Sequence, residues 1–146
     1  MTDNINDNNL SQVDNNKVQT LLKVLEGSIL FTQNAREAMN NNDDRTKSEN
    51  ISKVISILTQ LDCALDINVG GELAQNLSGL YKYMMNRLTY ANIQDDPEIL
   101  NEVISLLTNI KEGFDGAALK TTDNTTINKN ISTNQKSNER GLRIDI

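Results

Sequence analysis

The sequence predicts an all-α protein: a four-helix bundle with antiparallel, up-down-up-down topology and disordered ends. Four stretches carry apolar residues at helical spacing, and short polar turns separate them. Such short connections place consecutive helices antiparallel. The single proline stands where a helix can begin, so no proline interrupts a predicted helix. A short extra helix is compatible with this architecture, and 146 residues suit one domain.

The first predicted helix runs from about Asn16 to Met39. Its apolar residues cover an arc of about 200°, against the roughly 100° stripe of a typical surface helix. Either this helix is central in the bundle, or part of its apolar surface is left for a partner. Gly27 lowers the stability of the helix by roughly 1 kcal/mol relative to Ala. We expect it to mark a close approach of two helices. The arc consists of Val18, Leu21, Leu22, Val24, Leu25, Ile29, Phe31, Ala35, Ala38 and Met39.

The second helix is predicted from about Arg45 to Asp66, after a polar turn in which Asp43 or Asp44 suits the N-cap. The run Asn68-Val69-Gly70-Gly71 is expected to end it, because glycine tolerates left-handed backbone. Its apolar set is again wider than one stripe and consists of Ile51, Val54, Ile55, Ile57, Leu58, Leu61, Ala64 and Leu65.

Cys63 and Asp62 lie within this apolar pattern. As the single cysteine, Cys63 cannot form an internal disulfide, and we expect it to fill core space rather than act as a reactive thiol. Asp62 falls at a core angle. A helix-edge position that lets the carboxylate reach solvent is favoured over a buried charge tied to Arg87.

The third helix is predicted from about Gly71 to Ala91, with Tyr81 inside its core stripe. A second line on this helix holds Tyr83, Arg87 and Tyr90. This line is either an interaction surface, since Tyr and Arg are favoured binding anchors, or a bundle flank whose hydroxyls reach water. The core stripe consists of Leu73, Leu77, Leu80, Tyr81, Met84, Leu88 and Ala91.

The fourth helix has a clear start signal. Asp96 suits the N-cap, Pro97 the first helical position, and Glu98 the first turn near the positive end of the helix dipole. The core set is Ile99, Leu100, Val103, Ile104, Leu106, Leu107, Ile110 and Phe114.

Both ends of the chain are rich in polar residues and have little apolar periodicity. Such segments cannot bury enough surface to offset their ordering entropy. We therefore predict a flexible N-terminal segment over 1–16, a helical-bundle domain over 17–118 and a disordered tail over 119–146.

The charge balance excludes several partners. With 14 Lys+Arg against 20 Asp+Glu, the formal net charge is −6, and no basic stripe that would bind nucleic acid is present. An acidic chain is also a poor fit to an anionic membrane surface, and no apolar run reaches the length of a membrane span. The first residues lack the pattern of a signal peptide, so we expect a cytoplasmic protein with no membrane insertion.

The sequence contains no histidine. Its absence removes His-based nucleophile systems and the Glu-x-x-His sites of di-iron bundles. One cysteine with carboxylates is a poor zinc ligand set. We therefore expect no enzyme, no metal and no cofactor.

The stretch from Gly70 to Leu107 reads GGELAQNLSGLYKYMMNRLTYANIQDDPEILNEVISLL. Its pattern, GGE-x-A-x-N-L-x-x-LY-x-YM-x-x-RL-x-x-AN followed by DP-x-x-L-x-EV-x-x-LL, resembles the flagellin-specific secretion chaperones of the FliS family. The chain from Val18 to roughly Ala118 can be laid alongside that family without obvious large gaps.

The resemblance implies a non-enzymatic flagellar export chaperone. It would bind the C-terminal segment of flagellin in an apolar groove, prevent premature polymerisation and aid export by the flagellar type III secretion system. A segment that is disordered before assembly can bind as a helix in a groove. The flagellar export apparatus and regulatory proteins are further expected partners. The candidate client contacts, chosen by apolar geometry together with the resemblance, are Leu21, Leu22, Leu25, Ile29, Ile57, Leu61, Leu80, Tyr83 and Arg87.

Two alternative functions stay open: an unrecognised enzyme, which the absence of histidine and of any convergent polar cluster disfavours, and a regulatory binding protein. The same bundle would serve as a regulatory protein that sequesters a different client, such as an anti-sigma factor or a translation regulator.

Overall fold

The computed structural model describes residues 2–120, with side chains described between residues 15 and 116. Four helices make up this range and no strand occurs in it: α1 (Thr2–Asn40), α2 (Asp44–Ala64), α3 (Ile67–Gln94) and α4 (Pro97–Lys120). The predicted all-α architecture is confirmed. The tail predicted over 119–146 lies outside the described residues after Lys120.

The chain divides into two compact units. One unit is Gln19–Lys111 and contains the larger part of each helix. The described residues of the other unit are 2–18 and 112–120, which are the beginning of α1 and the end of α4. The contacts discussed below all lie within Gln19–Lys111.

Side-chain contacts show that neighbouring helices run antiparallel. Between α2 and α3, Ser48 Oγ donates to Asn92 Oδ1 at 3.1 Å, and Thr59 Oγ1 donates to Met85 Sδ at 3.3 Å, so a later residue in α2 meets an earlier one in α3. These two helices are therefore antiparallel, as the predicted up-down-up-down topology requires.

The same antiparallel order joins α1 to α4. Arg36 Nη1 donates to Asn101 Oδ1 at 2.6 Å, and Lys111 Nζ lies 3.3 Å from Glu26 Oε1. Together with the contacts of α1 to α2 and of α3 to α4 described below, these pairs close the four helices into a ring.

The core lies between the four helices. Apolar side chains with no exposed surface come from every helix, and Tyr81 is 2 % exposed, which confirms its predicted place in the core. The fully enclosed residues include Leu25, Ala35, Val54, Leu58, Met84, Leu88, Leu100, Val103 and Leu107.

The predicted start of α4 is confirmed, and so is one cap of α2. Asp96 Oδ1 accepts the Glu98 N–H at 3.0 Å, and the helix begins at Pro97. Asp43 is the N-cap of α2, where its Oδ1 accepts the Thr46 N–H at 3.2 Å. The hydrogen bond from Thr46 lowers the pKa of the Asp43 carboxyl.

The first helix begins earlier than predicted. Its backbone is helical from Thr2, whereas the sequence pattern placed the start near Asn16. No glycine or proline occurs before Gly27, so neither of the two strongest helix breakers interrupts this stretch.

The predicted end of the second helix is wrong. The helix ends at Ala64, with extended Leu65 as the C-cap. Asp66 then starts a new helical turn, because its Oδ1 accepts the N–H groups of Asn68 at 3.1 Å and Val69 at 3.3 Å. Gly71, with φ 56° and ψ −131°, separates this turn from the main part of α3.

Two predictions about packing are also wrong. A Cβ added at Gly27 would meet no atom within 4 Å, so this glycine marks no close helix approach. Cys63 is exposed. It follows buried Val54 by nine residues, which is two and a half helical turns, and therefore lies on the opposite side of α2.

Candidate partner-binding surface

The nine candidate contact residues fall into different environments. Leu22 and Leu25 are 6 % and 0 % exposed and belong to the core, so neither is available to a partner in this structure. Much of the wide apolar arc of α1 is explained by burial, since this helix packs against both α2 and α4. Tyr83 is exposed, and the remaining six are half-buried: Leu21, Ile29, Ile57, Leu61, Leu80 and Arg87.

A first apolar surface follows the junction of α1 and α2. The Lys53 ammonium lies 5.2 Å from the centre of the Phe31 ring and joins the two helices. Ile57 follows Lys53 by one turn and is half-buried, as is Leu61 one turn later. We call this surface the α1–α2 seam; it consists of Val24, Gly27, Phe31, Lys53, Ile57 and Leu61.

The α1–α2 seam is open above Gly27. Val24, Gly27 and Phe31 are half-buried, and they share one side of α1 because they are three and four residues apart. The space above Gly27 is open, since no atom lies within 4 Å of the position that a Cβ would take. The absence of a side chain therefore leaves the α1–α2 seam uncovered at this position.

A second surface follows the junction of α3 and α4. Glu102 Oε1 accepts hydrogen bonds from Arg87 Nε at 2.9 Å and from the Tyr83 hydroxyl at 3.0 Å. Leu80 precedes Arg87 by seven residues, and Leu106 follows Glu102 by one turn; both are half-buried. We call this surface the α3–α4 seam; it consists of Leu80, Tyr83, Arg87, Glu102 and Leu106.

Glu102 governs the electrostatics of the α3–α4 seam. Its hydrogen bond to the Tyr83 hydroxyl raises the pKa of that phenol, and its hydrogen bond to Arg87 raises the pKa of the guanidinium. The guanidinium carbon also lies 5.7 Å from the centre of the Tyr90 ring. Tyr83 and Tyr90 are 44 % and 50 % exposed, so two aromatic rings border a charged group that water reaches.

The two seams lie on opposite flanks of the ring of helices, because one joins α1 to α2 and the other joins α3 to α4. The structure thus does not gather the candidate residues into one groove. Leu21 and Ile29 belong to neither seam.

Asp62 is half-buried at the edge of α2, which agrees with the predicted helix-edge position. It accepts a hydrogen bond from the Ser78 hydroxyl, whereas Arg87 pairs with Glu102. Burial raises the pKa of the Tyr81 phenol, and the negative charge of Asp62 adds to this effect.

Several exposed apolar side chains were not identified as exposed from the sequence. Leu73 was assigned to the core stripe of α3, but it is 61 % exposed. The others are Leu30, Ile67, Val69 and Ile93. The helical signal is weakest around Ile67 and Val69, because the Asp66 cap and the Gly71 break interrupt the periodicity there.

A depression of about 240 Å³ adjoins the turn between α1 and α2. Amide and carboxylate side chains make up most of the residues that line it. It is lined by Asn34, Glu37, Ala38, Asn41, Asp43, Thr46 and Asn50.

Among the side chains of residues 15–116, no three Cys, Asp or Glu groups lie close enough together to hold a metal ion. None of the helices in the described range has the length and apolar content to cross a membrane.

Comparison with known proteins gives one consistent family. The model of the family described as flagellar protein FliS matches residues 2–121. The chain is 40% identical over 103 residues to the flagellar secretion chaperone FliSB of Pseudomonas aeruginosa, covering 70% of this chain and 82% of that protein. It is 32% identical over 109 residues to the flagellar secretion chaperone FliS of Vibrio cholerae, covering 75% and 79% of the two chains. It is 38% identical over 97 residues to the flagellar secretion chaperone FliS of Salmonella typhimurium, covering 66% and 72%.

Proposed function

The chain belongs to the flagellar protein FliS family, and from this premise we propose that it is a flagellar export chaperone whose client is flagellin. The client segment is the C-terminal part of flagellin, which the chaperone keeps from polymerising before export by the flagellar type III secretion system. The protein acts in the cytoplasm, where unassembled flagellin is made. The export apparatus and regulatory proteins are further partners.

The observation that carries the mechanism is the pair of half-buried apolar seams. Each seam offers apolar side chains that the bundle does not cover fully, with a charged or aromatic border: Lys53 and Phe31 on one flank, Tyr83 and Arg87 on the other. An amphipathic helix that places its apolar face in such a seam would remove this surface from water.

The position of the seams defines how the client would bind. A segment that contacts both seams passes from one flank of the ring of helices to the opposite flank. Coupled folding of this kind typically buries roughly 1,000–3,000 Å² and costs the complex about 2–5 kcal/mol for ordering the client. We expect the remaining affinity to block polymerisation and to allow release at the export gate.

The mechanism uses binding alone. The carboxylate of Glu102 accepts two hydrogen bonds within the α3–α4 seam, and Asp62 accepts one from Ser78. These groups hold helices together, and no chemical step is assigned to them.

The direct test measures binding of purified flagellin with and without its C-terminal segment, together with filament growth. We expect full-length flagellin to bind and its polymerisation to be suppressed, while the truncated client loses binding. Equal binding of both clients would contradict the proposed mechanism.

A further inference from the structure

The segment between α2 and the main part of α3 exposes apolar side chains beside carboxylates. Val69 is 84 % exposed, Leu73 61 % and Ile67 48 %. Asp66 and Glu72 are exposed within the same eight residues. We call these five residues the 66–73 surface.

The backbone of this segment depends on two glycines. Gly71 has φ 56°, a left-handed conformation that side chains with a Cβ rarely adopt. A Cβ at Gly70 would lie 2.8 Å from the Cβ of Ala74. The Asp66 cap and these glycines keep the turn Ile67–Gly70 distinct from the helix that follows, so Ile67 and Val69 do not continue its buried stripe.

The charges beside these apolar groups have a single sign. No Lys or Arg occurs between Lys53 and Lys82, whereas Asp62, Asp66 and Glu72 do. Among the side chains that the structure describes, none of these three carboxylates forms an ion pair. A partner that covers the apolar groups must therefore place cations, and not anions, beside them.

We propose that the 66–73 surface is a docking site for a cationic amphipathic segment of another protein, in which Lys or Arg flanks the apolar residues that cover Val69 and Leu73. Nucleic acid and anionic membranes carry the wrong charge sign. A symmetric contact between two copies of this surface would bring like charges together. This proposal does not depend on flagellin as the client.

The test uses two synthetic 18-residue peptides with identical leucine positions at helical spacing, one with lysine and one with glutamate at the polar positions. We expect the wild-type full chain to bind the Leu/Lys peptide, with affinity falling as salt is added, and not the Leu/Glu peptide. Val69→Ser and Glu72→Lys should each weaken binding of the Leu/Lys peptide by about tenfold.

Matched controls separate this site from general attraction to an acidic protein. Ile93→Ser removes another exposed apolar side chain, and Glu37→Lys reverses another exposed carboxylate; both should leave binding unchanged. The proposal is overturned if the Leu/Lys peptide does not bind, or if all four variants bind it like the wild type. It is also overturned if the wild type forms a dimer that Val69→Ser disrupts. Unchanged thermal melting of Val69→Ser and Glu72→Lys confirms that a loss of binding is not a loss of fold.

Discussion

Lys47 near the start of α2 pairs with Asp95 at the end of α3 and so links two helix ends that are 48 residues apart in the chain. Its ammonium also donates to the Asn92 carbonyl oxygen at 3.1 Å and lies 3.6 Å from Asp44 Oδ1. Lys47 is 4 % exposed, which is rare for a lysine and is explained by these partners.

Replacing this lysine should destabilise the fold. Lys47→Met keeps most of the aliphatic stem but removes the charge, so we expect a loss of about 1–2 kcal/mol in the free energy of unfolding. Arg45→Met is the matched control, because the Arg45–Glu49 pair on the same helix has side chains that are 89% and 58% exposed. Urea unfolding measures both variants, and an equal effect of the two would show that burial of Lys47 adds nothing.

The contribution of Lys47 should disappear at alkaline pH. The hydrogen bond with Asp95 raises the pKa of Lys47 above its ordinary value of 10.5. A pKa that is higher in the folded state gives stability below the unfolded value, and this stability is lost as pH rises through the folded value. The difference in unfolding free energy between wild type and Lys47→Met should therefore be constant from pH 7 to 9 and shrink above about pH 10.5. A difference that grows with pH would contradict this assignment.

Leu22 should be essential for folding rather than for binding. Its side chain is 6 % exposed, so Leu22→Glu places a carboxylate in the core and should cost several kcal/mol, roughly 3 or more. Leu30→Glu serves as the control on the same helix, since Leu30 is 53 % exposed and the change should cost less than about 0.5 kcal/mol. Thermal melting of the two variants and the wild type measures this difference in stability. A wild-type Tm for Leu22→Glu would mean that Leu22 is not a core residue.

Gly27 allows stability and client binding to be separated at one position. Gly27→Ala should stabilise the helix by about 1 kcal/mol, because glycine is unfavourable there and a Cβ meets no neighbour. Gly27→Trp should cover the open position of the α1–α2 seam with a large side chain and weaken flagellin binding at least about tenfold. Gln33→Trp, on an exposed position of α1 outside both seams, should bind normally. Calorimetric titration with flagellin and chemical unfolding measure the two effects. Normal binding by Gly27→Trp would remove the α1–α2 seam from the client site.

The two seams should contribute independently to flagellin binding. Ile57→Ser and Leu80→Ser each remove one half-buried apolar side chain, and each should weaken binding by about tenfold. The seams lie on opposite flanks, so the double variant should lose about a hundredfold, since distant sites contribute additively. A client confined to one seam would leave one of the single variants with full affinity. Melting curves for each variant verify that the protein is folded at the assay temperature.

Local chemistry determined the features that the sequence predicted correctly. Asp96 and Pro97 set the start of α4 through one side-chain hydrogen bond and a restricted φ, and Asp43 caps α2 in the same way. Tyr81 was placed in the core by its spacing from other apolar residues of the same helix. Such features need no knowledge of which helices are neighbours.

Packing between distant segments decided the rest. Leu73 and Leu88 both belong to the predicted core stripe of α3, yet Leu88 has no exposed surface and Leu73 is 61 % exposed, because only Leu88 is enclosed by neighbouring helices. Only the tertiary structure shows open space above Gly27, and only it separates the candidate contacts into two seams on opposite flanks. The sequence by itself determined that the chain forms four amphipathic helices and that it resembles the FliS family. Tertiary structure decided which of their apolar faces stay open, since burial depends on neighbours that no local pattern specifies.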